Sequence, residues 1–279
     1  MSIWEAIIYA ICGGLCELLP LSFTGHAAML KNAFQLSALS EGGGYYVRAA
    51  ITLGLILAIV CAFPSEIGNA RQGYRLLRRP SRRRRGENRE QLQARTARLY
   101  RFAIFPMLAS FLFLAYAERV SRLPYIAGFF ALNGCFIYMC CRGQAGQRTE
   151  RDLTIIDALA IGLARMVSVF PGLSSVGSSL AVGRAFGIEQ QCNVRFAYTL
   201  SLGYQMVALI YYTLRAVLYG SFSGMILLTC VLCVLCTAAV GYFALQYVRY
   251  LLEKNRLNFF AYYCWDAAII ALILALINS

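Results

Sequence analysis

The stretch "ELLPLSFTGH", residues 17–26, decides the fold. Between two apolar runs it gathers an acid, a proline, a serine, a threonine, a glycine and the only histidine of the chain. Proline and glycine interrupt a helix, so the segment 3–38 reads as two half-helices joined at a polar break. A second break, "FPGLSSVG", occupies 170–177 and divides 154–187 in the same way. Each half is too short to cross a bilayer comfortably, since a spanning helix needs about 20 residues. Both segments therefore read as re-entrant helical hairpins. Broken backbone at membrane depth is tolerable where it is buried in protein or lines a wet cavity.

The two breaks belong to a repeat. "VRAAITL" at 47–53 and "VRFAYTL" at 194–200 match at five of seven positions. Their offset of 147 residues is close to the offset of 151 between Pro20 and Pro171. The chain is thus expected to be a single polytopic domain, 1–279, with repeat one over 1–141 and repeat two over 154–279.

Composition places it in a membrane. Of 279 residues, 59% are hydrophobic and 14% charged, against about 45–50% and about 25% in soluble domains. Apolar runs at 47–63, 102–116, 123–141, 194–214, 225–248 and 259–277 read as spans, the second borrowing flanking residues. The net charge of +13 argues for no nucleic acid, because twelve arginines crowd into 71–101, including the run 82–85. A basic stretch between spans marks the cytoplasmic side. The stretches 66–101, 142–153 and 249–257 are assigned there as loops. Counting spans from them gives each repeat one hairpin plus three transmembrane helices, an odd number, so the repeats have opposite orientation. The expected fold is all-α, integral to the membrane, with an inverted-topology repeat. The eleven cysteines sit mostly in apolar runs and read as packing residues, not metal ligands. No cleavable leader is expected, because the first helix lacks a basic start and carries Glu5 and Glu17.

Inverted repeats with paired broken helices place a polar site where the breaks meet. Helix starts expose unpaired N–H groups and partial positive charge, which suits an anion such as phosphate. Ser22, Thr24 and Gly25 lie at the first break, and Ser174, Ser175 and Gly177 at the second. The alternative is that the hydroxyls only satisfy kinked backbone. Ionisable groups inside a bilayer are expensive and default to functional hypotheses. Arg48 and Arg195, equivalent in the repeat, read as a forked clamp on phosphate oxygens, with snorkelling at span ends as the alternative. Glu17 reads as a metal ligand, a water-positioning group or an arginine partner. His26 reads as a general acid or base, with capping as the alternative. Arg165 is a further candidate of unknown face, and Asp157 reads as a cap of its half-helix.

These residues carry a resemblance to the undecaprenyl-pyrophosphate phosphatase family of the bacitracin-resistance type. That family has a motif like E-G-x-T-E-F-L-P-V-S-S-T-G-H, where this chain reads G-G-L-C-E-L-L-P-L-S-F-T-G-H over 13–26. A second family motif is similar to P-G-x-S-R-S-G, here P-G-L-S-S-V-G over 171–177. The likeness spans nearly the whole chain. It implies hydrolysis of a C55 polyprenyl pyrophosphate to the monophosphate, recycling the cell-wall carrier lipid. It also implies a bacterial plasma-membrane location with the site toward the outer face, dependence on a divalent cation (Mg or Ca), and no organic cofactor. Carried over by position, Glu17 matches the second acid of the first motif, Ser22, Thr24 and His26 its phosphate-handling positions, and Pro171, Gly172, Ser174 and Gly177 the second loop. As an enzyme the chain would use His26 as acid or base, Ser22 or a water held by Glu17 (alone or through a metal) as nucleophile, and Arg48 and Arg195 with Thr24, Gly25, Ser174, Ser175 and Gly177 to hold the phosphates. The chain departs from the motifs at Gly13 (an acid in the family), Phe23 (a serine), Ser175 (an arginine) and Val176 (a serine); Arg48 stands where an acid often does. A protein that binds or flips a polyprenyl phosphate without cleaving it stays open as the alternative, as does a homodimer.

Overall fold

The structure is a computed structural model that describes residues 1–277 except 38, 40, 41, 79–87, 121, 143–145, 221 and 255. The arginine run 82–85 lies outside the described residues. Those described form twelve α-helices, with no strand beyond one isolated bridge between Arg148 and Ile188.

Residues 3–38 hold α1 (Ile3–Cys16) and α2 (Phe23–Phe34), and residues 154–187 hold α8 (Ile155–Val167) and α9 (Ser175–Ala185). The longest of these four has 14 residues, about 21 Å at 1.5 Å per residue, which is less than the roughly 30 Å of a hydrocarbon core. The caps follow the sequence. Ser22 and Ser174 are N-caps whose hydroxyls accept from the N–H of Gly25 and Gly177. Thr154 caps α8 in a reciprocal box with Asp157. Asp157 also binds Arg148 at 2.6 Å, and that hydrogen bond holds the Arg148 guanidinium above its ordinary pKa.

The remaining helices are α3 (Gly44–Ala62), α4 (Pro64–Leu77), α5 (Asn88–Leu108), α6 (Ser110–Arg119), α7 (Leu123–Arg142), α10 (Gln190–Tyr219), α11 (Gly224–Glu253) and α12 (Asn258–Ile277). Among the described residues, five stretches are long and apolar enough to cross a membrane: Gly44–Ala62, Arg89–Leu114, Leu123–Arg142, Gly224–Leu252 and Asn258–Ile277. The span expected at 102–116 does borrow upstream residues. The run 194–214 lies inside the 30-residue α10, which is not among those five.

The stretch 66–101, expected as a loop, is largely helical. Pro64 starts α4 at its first turn. Gly73 then lets α4 lie directly on α5, because a Cβ there would collide with the Gln93 backbone. A loop reading follows from charge alone; the apolar stripe beneath the arginines makes a helix. The stretch 249–257 is likewise mostly helix end, since α11 continues to Glu253.

The breaks between α1 and α2 and between α8 and α9 meet at the centre. Several backbone groups of the join find side-chain partners. The Tyr198 hydroxyl donates to Leu18 O at 2.6 Å. Ser22 Oγ accepts from Gly172 N at 2.9 Å. Asn133 of α7 serves both tips at once: its Nδ2 donates to Pro20 O at 3.2 Å, and its Oδ1 accepts from Ser174 N at 3.0 Å. The tips touch backbone to backbone, since a Cβ on Gly25 would sit 2.8 Å from Gly172 N. These bonds are what irregular backbone needs away from water. Asn133 is 0% exposed. Replacing it by alanine orphans Pro20 O and Ser174 N, and each buried unpaired group costs about 1–3 kcal/mol. Asn133→Ala is expected to lower the melting temperature in detergent sharply; an unchanged melting curve would show that the join does not depend on this amide.

Candidate functional site

Beside the join lies a cavity of about 60 Å³, room for a few waters or one small anion. Helices α2, α3, α6, α8, α9 and α10 and the cap that ends α1 all contribute to it. Its charged lining is Glu17, Arg48 and Arg165, and its hydroxyls include Ser22, Thr24, Thr52, Ser168 and Ser175.

Arg165 reaches in from α8 and is 3% exposed. Its Nη2 donates to Ser201 Oγ at 2.8 Å and Ser175 Oγ at 3.4 Å, and its Nη1 to Ala197 O at 3.3 Å and Ser179 Oγ at 3.4 Å. The fork is therefore fixed in place before any ligand arrives. Arg48 comes from α3. Its guanidinium lies 4.7 Å from the Tyr212 ring centre and 5.3 Å from that of Phe23. Its Nε is buried with no hydrogen-bond partner. A buried donor without an acceptor is uncommon, and here it borders the cavity. Glu17 caps the end of α1, and its carboxylate accepts from Gln205 Nε2 at 3.1 Å. Arg48 and Arg165 both act on Glu17 electrostatically, but among the described residues neither forms an ion pair with it.

Of the residues expected at the site, Glu17, Ser22, Thr24, Arg48 and Ser175 line the cavity. The others do not. Gly25 makes the tip-to-tip contact, and Ser174 and Gly177 form the α9 cap. Ser22 Oγ also accepts from two backbone N–H groups, which makes it a clamp between the tips and a poor nucleophile. His26 turns away: its ring packs edge-on against Phe130 and stacks on Tyr263. Its Nδ1 donates to Ser22 O at 2.7 Å and its Nε2 meets the Tyr263 hydroxyl at 2.9 Å. Both ring nitrogens are engaged outside the cavity, the capping alternative. Arg195 lies on the outer face of α10, its side chain 48% exposed and paired with Glu66 at 3.6 Å. The repeat suggested it as a partner for Arg48; the second cavity arginine is Arg165. Gln205, Tyr204 and Thr52 were not singled out by sequence reasoning. Thr52 sits one helical turn after Arg48, which is the available signal for it; Tyr204 and Gln205 stand one turn after Ser201, which nothing in the sequence marks.

A larger cavity of about 260 Å³ adjoins the first, sharing Thr24, Arg48, Leu114, Val169 and Tyr212. It adds Lys31 and Arg215 and, among the described residues, no carboxylate. Arg215 lies over the rings of Tyr45, Tyr211 and Tyr219. The pair of cavities forms a cationic vestibule leading to a small polar chamber.

The donor set does not fit a protein-held divalent ion. Glu17 is the one carboxylate of the chamber, and two guanidinium groups share its field; such an ion prefers several oxygen ligands. Among the described residues no three His, Cys, Asp or Glu side chains come together.

A sequence profile described as "Bacitracin resistance protein BacA" matches residues 6–270. The chain belongs to the BacA family. It is similar to "Undecaprenyl-diphosphatase 1" of Shouchella clausii, at 27% identity covering 98% of this chain and 96% of that one. "Undecaprenyl-diphosphatase 3" of Bacillus cereus is 25% identical over 97% and 96% of the two chains. "Undecaprenyl-diphosphatase" of Methanobrevibacter smithii is 24% identical over the same shares. Family membership and the apolar helices together make this a multi-pass membrane protein.

Three departures from the BacA-type motifs have a physical account. Gly13 and Phe23 are neighbours: a Cβ on Gly13 would meet Phe23 Cε2 at 3.6 Å and Ile51 Cγ2 at 2.7 Å. Phe23 and Ile51 fill the room a larger residue at 13 would need, so an acid lost at one position and a serine lost at the other form one apolar exchange. The Arg165 guanidinium, reaching Ser175 Oγ from α8, brings a cation to the place where the family motif carries an arginine.

Proposed function

We propose that this chain hydrolyses the terminal phosphoanhydride of a polyprenyl pyrophosphate, giving the monophosphate lipid and phosphate. The observation that carries the reading is the convergence of Arg48, Arg165 and Glu17 on one chamber, with the Arg48 Nε lacking an acceptor. A pyrophosphate headgroup enters along the vestibule past Lys31 and Arg215. Its terminal phosphate sits between the two arginines and the Thr24 and Ser175 hydroxyls. A water held by Glu17 attacks the terminal phosphorus. The new bond is water oxygen to phosphorus; the bridging P–O bond breaks; the water proton passes to Glu17. The leaving phosphate monoester carries its own negative charge, and the arginines stabilise the charge that develops in transfer. Gln205 keeps the Glu17 carboxylate facing the chamber.

The inverted-repeat reading draws support from the packing. Helix α1 lies on α11 as α8 lies on α5, while α3 pairs with α10 and α7 with α12. Those pairs fit an exchange of two equivalent halves at 1–141 and 154–279, while the close packing of α3 on α11 has only a weak counterpart in α10 on α5. Orientation follows from charge. Helix α3 runs from Tyr45 and Arg48 at the vestibule to the arginine-rich α4 at its other end. With the arginines on the cytoplasmic side, the vestibule opens outward in the plasma membrane.

Phosphate release from undecaprenyl pyrophosphate by the purified chain tests the reaction. Glu17→Gln keeps the Gln205 contact in kind but removes the base, and is expected to lower kcat by about 10²–10⁴-fold. No release by the wild type above a protein-free blank would sink the hydrolytic reading, and equal release by Glu17→Gln would remove Glu17 as its base.

A further inference from the structure

At the end of the bundle away from the vestibule, a groove of about 400 Å³ opens between α4, α5 and α10, within the roughly 300–1,000 Å³ of small-molecule sites. Its wall is apolar, with Ile67 from α4, Ile104 from α5, and Leu202 and Met206 from α10. Met206 is 56% exposed. Its rim is cationic, with Arg71, Arg75 and Arg78. Residues 67, 71, 75 and 78 follow the spacing of one helix face, so a single face of α4 changes from apolar to cationic along its length. All three arginines are exposed, and among the described residues no carboxylate lines the groove and none of the three is in an ion pair. An apolar channel ending in three unpaired cations complements one molecule class, an amphiphile with an anionic head. A soluble anion would gain nothing from the wall, and a neutral lipid nothing from the rim.

We propose that this groove binds one anionic phospholipid, its phosphate on Arg71, Arg75 and Arg78 and an acyl chain along the α4–α5–α10 wall. The proposal does not depend on the hydrolytic reading. Native mass spectrometry of the full-length protein, loaded with phosphatidylglycerol or phosphatidylcholine of the same acyl chains, tests it. The wild type is expected to retain phosphatidylglycerol about tenfold or more over phosphatidylcholine. The triple variant Arg71→Gln, Arg75→Gln, Arg78→Gln loses that preference. The control Arg89→Gln, Arg98→Gln, Arg151→Gln removes the same charge from exposed positions outside the groove and keeps it. No preference in the wild type, or equal loss in the control, overturns the site in favour of general surface attraction. Should the first triple variant fail to fold, Met206→Asp takes its place: loss of the preference supports the site, and its retention overturns it.

Discussion

Arg165→Gln is expected to fold normally and to lose about 10³-fold or more in kcat. Arginine clamps on a transferring phosphoryl group are worth about 10³–10⁵ in rate. Arg165 is held by Ser201, Ser175, Ser179 and the Ala197 carbonyl, so its fork costs no reorganisation when charge develops. Glutamine can still donate to the Ser201 hydroxyl, and the cavity absorbs the missing atoms, so the melting temperature should move little. Arg165→Lys keeps the charge but not the planar fork, and should fall between the two. Phosphate release and thermal melting, measured on the same preparations, separate chemistry from stability. A glutamine variant with wild-type kcat would remove Arg165 from the mechanism and throw the burden onto Arg48.

The second large effect belongs to Gly172. Its φ of +111° lies where side chains other than glycine are rarely found. A Cβ there would also stand 2.7 Å from Phe129 Cβ and 2.8 Å from Ile126 O. Those atoms belong to the body of α7, not to a flexible chain end. Backbone strain of about 1–3 kcal/mol adds to overpacking of similar size, so Gly172→Ala should destabilise by about 3 kcal/mol or more. The Gly172 N to Ser22 Oγ bond breaks as the tip moves, and turnover falls with it. Gly128→Ala on the same α7 is the comparison: nothing lies within 4 Å of a Cβ there, and helix propensity predicts a gain of up to about 1 kcal/mol. If both variants melt alike, the tight fit of the tips has no energetic weight.

Much of this arrangement is written in the sequence in readable form. Interrupted apolar runs locate the breaks, because proline and glycine act locally. Ser22 and Ser174 are legible as caps for the same reason. Glu17 and Arg48 stand out because charge inside hydrocarbon demands a purpose. What the sequence hides is helix phase. Repeat equivalence pairs Arg48 with Arg195, but α10 buries Val194, Tyr198, Ser201 and Gln205, which turns Arg195 outward. The same phase argument on α8, where Ala158, Ile161, Gly162 and Arg165 are buried together, would have placed Arg165 inside. His26 misled for another reason. A histidine beside Ser and Thr suggests proton transfer, and only the positions of Phe130 and Tyr263, far along the chain, show its ring drawn the other way. Asn133 carried no local signal, since its partners come from residues 113 and 41 positions distant.

The single amide of Asn133, spanning Pro20 and Ser174, bears on how this molecule is able to move. A carrier that exposes its cargo first to one leaflet and then to the other must swing its parts about the middle. Here such a swing would strip the bonds from the Pro20 carbonyl and from the Gly172 and Ser174 amide hydrogens, each loss a penalty of about 1–3 kcal/mol. On the proposed hydrolytic reading the centre stays joined, and lipid is expected to enter and leave through the same tyrosine-lined mouth.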